Sequence, residues 1–146
     1  MRGLLKNNSG SITLEFAICG IMFTGFVLGM VVVGLWIYNV SQVKQGARIA
    51  AYSVAVTDNP SESRDKALKY LDKTLIACPG READAYSSHS NGYGVAEAQM
   101  DPLFPGFQKL IDPKGTSTVN GRIRIRKEAF MVREYRFRPG NQQYFN

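Results

Sequence analysis

The sequence predicts an α+β protein: a long amino-terminal helix, apolar over its first half, carrying a small domain with a second helix and an antiparallel β-sheet. Three observations lead there. No charged residue falls between Glu15 and Lys44. Small and apolar residues at Ala47, Ala50, Ala51, Val54 and Ala55 follow the i, i+3, i+4, i+7, i+8 spacing of one helical face. Near the other end, Asn120-Gly121 separates two β-prone runs, the strongest short-range cue for a hairpin.

Taken in order, residues 1–10 read as a polar leader, with Arg2 and Lys6 as its charges and Asn-Asn-Ser-Gly at its end. The apolar run from Phe16 to Tyr38 follows. As a helix it rises roughly 35 Å, against about 30 Å for the hydrocarbon core of a bilayer, so it is long enough to span with some tilt. Trp36 and Tyr38 stand at its far end, where amphipathic rings favour the membrane–water boundary. The run is too long for the apolar core of a secretory signal, and no small-residue cleavage site follows it. Arg2, Lys6 and the terminal amine favour a cytoplasmic amino terminus. The expectation is a single-pass membrane protein with residues 58–146 outside the cytoplasm.

The first helix is expected over residues 11–57, its second half outside lipid. Its alanine stripe is narrow and small-sided, which lets a neighbour pack very close. Asp58-Asn59-Pro60 stops it. A second helix is expected to start with Ser61 as N-cap, with Glu62 and Asp65 suiting the positive end of its dipole. Leu68, Leu71 and Leu75 form its apolar face, and Pro79-Gly80 ends it. Tyr86 to Gly94 is rich in Ser, Asn and Gly and reads as a loop; Asp101-Pro102 and Phe104-Pro105-Gly106 mark further turns. In the final hairpin Ile123 and Ile125 face the core and Arg122, Arg124 and Arg126 face solvent. Lys127 and Arg133 break the alternation, leaving a bulge, a second turn or a short helix open for residues 127–133.

The residue that does not suit a plain anchor is Glu15. A carboxylate at the edge of an apolar span is costly and needs a positive partner. Gly10, then four residues, then Glu15 at the head of the apolar run resembles the class III signal of type IV pilin-like proteins. There a membrane-embedded prepilin peptidase cuts after the glycine and leaves the helix attached. The resemblance implies a cut between Gly10 and Ser11, with Glu15 fifth in the mature chain. Cleavage would put a new amine on Ser11 about one helical turn from Glu15. Leu14-Glu15-Phe16-Ala17 and Gln45-Gly46-Ala47-Arg48-Ile49-Ala50-Ala51 are similar to the corresponding runs of TadE-like proteins, minor pilins or pseudopilins of the tight-adherence (Flp) pilus system. This second resemblance covers roughly residues 10–56. It departs from the family where a proline usually follows Glu-Phe-Ala; Cys19 and Gly20 stand there instead. It implies an assembly role for Glu15, with the prepilin peptidase, other pilin or pseudopilin subunits, pilus assembly proteins and membrane lipid as partners.

Gly25 and Gly29 form a Gly-x-x-x-Gly pair that permits close helix–helix approach in lipid, and with Ala47, Ala50 and Ala51 they are the candidate helix-packing residues. Residues 44–121 balance nine basic against nine acidic side chains, whereas residues 122–138 carry seven basic against two acidic. That segment makes Arg122, Arg124 and Arg126 a candidate anion-binding row, for DNA or another anionic surface. The same arginines also suit a solvated face, or a sheet edge guarded against pairing. Cys19 and Cys78 are too far apart in sequence and setting to form a disulfide framework. His89, the single histidine, has no Cys or His beside it and is not a metal site. No phosphate-binding loop, metal cluster or nucleophile–base arrangement is legible, so neither an enzyme nor a cofactor is expected. The alternatives to a pilus subunit are an exported pilin-like protein that binds DNA or an anionic surface, and an uncleaved bitopic protein of another complex.

Overall fold

The computed structural model describes residues 9–88, 91–104 and 106–133. Seven elements follow one another in order: α1 (Ser9–Thr57), α2 (Pro60–Thr74), β1 (Gly80–Ser87), β2 (Asn91–Met100), α3 (Phe107–Ile111), β3 (Thr118–Val119) and β4 (Arg122–Val132). The chain divides into two compact units, Met1–Trp36 and Ile37–Asn146. The arrangement is α+β, as the sequence predicts. The leader charges Arg2 and Lys6, His89, and the residues from Glu134 onward lie outside the described residues.

In the first unit, no residue of α1 from Ile12 to Trp36 is buried and most are exposed. Phe16 is 81% accessible, and Ile21, Met22, Phe23 and Phe26 are similarly bare. The core helix of a water-soluble fold is mostly buried, whereas among the described residues nothing buries this apolar stretch. It is long and apolar enough to cross a membrane, compatible with single-pass anchoring.

The second unit is a four-stranded antiparallel sheet in the order β1-β2-β4-β3, with one face buried. The second half of α1 supplies Val43, Ala47, Ala50, Ala51, Val54 and Ala55 to this core, and α2 supplies Ala67 and Leu71. The facing positions of β2 are Gly92, Gly94, Ala96, Ala98 and Met100, every second residue of the strand and all buried. A Cβ on Gly92 would come within 2.6 Å of the Ala51 carbonyl oxygen and 2.7 Å of the Ala55 nitrogen. One on Gly94 would strike the Ala47 carbonyl oxygen and lie 2.5 Å from the Ala51 nitrogen. Helix backbone therefore rests on strand backbone at the two glycines. The buried residues then grow from glycine through alanine to Met100 along the strand, so side chains fill the helix–sheet space towards the Asn39 end. Gly46 makes the corresponding room for α2, since its Cβ would lie 2.7 Å from Leu71 Cδ2.

This seat corrects the reading of Tyr86 to Gly94 as a loop. Residues 80–87 and 91–100 are paired strands, with Tyr86 opposite Tyr93 and Ala85 opposite Gly94. Glycine weakens a strand in general. It is placed here because another backbone approaches closely.

Two more boundaries move. The N-cap of α2 is Asn59, whose Oδ1 accepts from Glu62 N–H at 3.3 Å, and not Ser61. Pro60 takes the first helical position, where its missing N–H costs nothing and its φ is already helical. The same helix stops at Thr74, well before Pro79-Gly80. There the buried Asn39 side chain of α1 donates Nδ2–H to the Ile76 carbonyl at 2.8 Å and accepts from Ile76 N–H at 3.1 Å. The pair fixes the chain at Ile76, just after Leu75 has left the helix in an extended conformation.

The hairpin at Asn120-Gly121 forms as predicted, with φ of 50° and 75°, Val119 opposite Arg122 and Thr118 opposite Ile123. Residues 127–132 contain no turn or helix. The β4 ladder runs on through Lys127, opposite Ala96, to Val132, opposite Asn91. Arg133 follows, buried, in an ion pair with Asp58 just past the end of α1. Hydrogen bonding to Ser87, with the Arg133 guanidinium adding to it, holds the Asp58 carboxyl below the usual range.

The backbone contact yields a direct test. Gly94→Ala should lower the stability of the second unit by about 1–3 kcal/mol, the usual cost of overpacking, because backbone rather than a flexible side chain would have to move. Gly25→Ala, whose Cβ meets nothing within 4 Å, should leave that unit's unfolding midpoint where it is. Thermal unfolding in detergent, followed by circular dichroism, separates the two; an unchanged midpoint for Gly94→Ala would show that the helix does not rest on the strand.

Candidate processing and assembly site

The peptide bond between Gly10 and Ser11 lies within α1, which begins at Ser9. Glu15 is four residues beyond Ser11 on the same helix. Residues at that spacing are neighbours on one face, with Cβ atoms about 5–6 Å apart. The Glu15 side chain is exposed, and no ion pair reaches it among the described residues. An amine generated at Ser11 would arise within one turn of this carboxylate.

Along the rest of the span, Gly20, Gly25, Gly29 and Gly34 each leave open space where a Cβ would stand. A shallow groove of about 510 Å³ runs beside Phe16, Gly20, Ile21, Thr24, Gly25 and Leu28. Thr24 returns its hydroxyl proton to the Gly20 carbonyl at 2.8 Å, so it presents no unpaired donor to lipid. Gly25 lines this groove and Gly29 does not. Ala47, Ala50 and Ala51 take no part in a lipid-facing surface: all three are buried in the second unit under β2.

Arg122, Arg124 and Arg126 share the uncovered face of the sheet, and each has its own carboxylate. Arg122 Nε donates to Asp101 Oδ1 at 2.6 Å. Arg124 Nη2 donates to Glu97 Oε2 at 2.7 Å, with Nε also 2.7 Å from Oε1. Arg126 Nη2 donates to Glu128 Oε1 at 3.0 Å. Glu82 and Asp84 join Glu97, Arg124 and Arg126 around an open concavity of about 470 Å³. Acidic groups thus stand beside all three arginines on this face, across strands for Arg122 and Arg124 and within β4 for Arg126.

Cys19 is exposed on the span and Cys78 is buried in the second unit, both as free thiols. Burial pushes the Cys78 thiol up to about 11, which keeps it protonated and poorly reactive at neutral pH.

Sequence reasoning missed Asn39, Gly92, Gly94 and Arg133. Asn39 had a legible signal, since it continues the buried face at i−4 from Val43 and i−8 from Ala47. The glycines had one as well: Gly92, Gly94, Ala96 and Ala98 alternate with larger residues and match the alanine stripe in size.

The span and the α+β unit together define a protein that a single apolar helix can hold in a membrane, with a glutamate at the helix's head. Residues 10–51 match the family model of TadE-like proteins. That match begins at Gly10 and takes in Glu15, the apolar run and the alanine stripe as far as Ala51, somewhat under a third of the chain. No curated protein and no solved structure matches this chain.

The paired arginines lead to an expectation for nucleic acid. Replacing Arg122, Arg124 and Arg126 together with Gln should leave retention of duplex DNA by the full chain unchanged. Were all three on phosphates, the log–log salt dependence would instead become shallower by roughly 2.7, at about 0.9 for each phosphate neutralised. A titration at two salt concentrations distinguishes the outcomes.

Proposed function

We propose that this protein is a minor pilin or pseudopilin of the tight-adherence pilus system, a structural subunit rather than an enzyme. The observation that carries the reading is the coincidence of the TadE-like match over residues 10–51 with one uninterrupted helix that sets Ser11 and Glu15 one turn apart. A prepilin peptidase removes residues 1–10. The helix stays in the membrane with its amino terminus on the cytoplasmic side, and residues 58–146 lie outside the cytoplasm.

The chemistry supports this order of events. Before the cut, Arg2 and Lys6 hold the leader on the cytoplasmic side. After it, those charges are gone and the Ser11 amine is available to the Glu15 carboxylate, in the same chain or in a neighbouring subunit. A lone carboxylate at mid-span costs about 2.5–3.5 kcal/mol on insertion scales and less towards the interface. Pairing it with an amine offsets that cost and gives two subunits a reason to associate at one depth. The exposed glycines of the span let a neighbouring helix approach closely.

Two outcomes are expected. In cells that contain the prepilin peptidase, intact mass should show a chain starting at Ser11, and Gly10 replaced by a larger residue should retain the leader. Native protein that keeps Met1 under those conditions would refute the reading. Glu15→Val should still insert and be cut, yet sharply reduce pilus output and subunit crosslinking; wild-type levels of both would remove any assembly role for this carboxylate.

A further inference from the structure

The end of the second unit at which Asn39 lies carries a group of apolar side chains that the fold does not cover. Ile37, Tyr38, Ile76, Leu103 and Phe104 are between 39% and 57% accessible. Three contacts bring their segments together. The Asn39 side chain holds both backbone groups of Ile76. Asn39 Nδ2 also lies 3.5 Å from Met100 Sδ. Asp101 N–H donates to the Ala77 carbonyl at 3.0 Å. Leu103 and Phe104 follow Asp101 by two and three residues, at most about 11 Å of extended chain. Phe104 is held against the buried Phe107, ring centroids 5.2 Å apart.

Chain length bounds how far this group can lie from the end of the apolar run. Asn39 is three residues past Trp36 on one helix, a rise of about 5 Å. Whatever the tilt of the span, Ile76 is therefore tied to a residue at the end of the membrane-crossing stretch, and the Leu103–Phe104 turn is tied to Ile76. We propose that Ile76, Leu103 and Phe104 rest in the interfacial layer of the bilayer and give the outer domain a second hold on the membrane beside the span. The inference depends on the reading of residues 16–38 as a membrane span. The occupant is lipid because Ile37 and Tyr38, the last two residues of the apolar run, are themselves exposed members of the group. Leaving the membrane then requires this contact to be withdrawn along with the helix.

The single tryptophan, Trp36, makes the test direct. In a Trp36→Phe background, the full chain is reconstituted without other proteins in phosphatidylcholine vesicles brominated either near the headgroup or near the chain ends. Single tryptophans are placed by Phe104→Trp, Ile76→Trp, Phe26→Trp and Phe130→Trp. Phe26→Trp reports the span. Phe130→Trp is the solvent control: Phe130 is 68% exposed and pairs with Tyr93 at the opposite end of β2. The Phe104→Trp and Ile76→Trp chains should emit at shorter wavelength than the Phe130→Trp chain and be quenched most by lipid brominated near the headgroup. Phe26→Trp quenched by lipid while both turn positions emit as solvent-exposed groups would overturn the proposal and leave the span intact. Blue-shifted but unquenched turn positions would show that protein covers them, which also overturns it. An unquenched Phe26→Trp would overturn the span and this proposal together. Circular dichroism confirms that each variant is folded, and two turn positions guard against failure of one.

Discussion

The second unit depends on one contact, the backbone of α1 lying directly on the backbone of β2 at Gly92 and Gly94. Side chains normally hold a helix well off a sheet. Here four alanines and two glycines remove that spacer, and any Cβ on the strand at these positions would meet carbonyl oxygens and amide nitrogens of the helix. Close-packed interiors tolerate almost no such intrusion. The contact therefore fixes which face of α1 turns to the sheet, and with it which residues of α1 can be exposed.

Polar clamps stand at the two ends of this seat. At one end Asn39 holds the chain at Ile76 with a reciprocal pair of hydrogen bonds, as a neighbouring strand would. At the other, Arg133 leaves β4 and pairs with Asp58, just after α1 stops at Thr57. Buried polar groups are costly without partners, so the Asn39 hydrogen bonds and the Arg133–Asp58 ion pair favour one register of helix against sheet. The domain is thereby fixed to the second half of the helix whose first half is apolar and bare.

The arginines of β4 illustrate how pairing redistributes charge. Along the chain they form the most basic segment; across the sheet each lies within reach of Asp101, Glu97 or Glu128. Glu97 and Asp101 come from β2 and the residue after it, so their effect on Arg124 and Arg122 is invisible until the strands are in register, whereas Glu128 is two residues from Arg126 on β4 itself. Exposed ion pairs contribute little to stability, and what they change here is the availability of the arginines to an outside anion.

Periodicity and composition alone determined the long helix, its apolar half, its stop at Asp58-Asn59-Pro60, the hairpin at Asn120-Gly121 and the inward Ile123 and Ile125. Each of those follows from interactions within a few residues, which a sequence displays directly. The Gly10-to-Glu15 spacing was legible for the same reason, because both ends lie on one helix. Tertiary structure alone decided that Tyr86–Ser87 and Asn91–Gly94 belong to paired strands, that α2 ends at Thr74, and that Lys127 stays in the ladder up to a buried Arg133. In every one of these cases the deciding partner is remote in sequence: α1 above the glycines, Asn39 beside Ile76, Asp58 beside Arg133. Local propensity at those positions points the other way, and a contact made by a distant segment outweighs it.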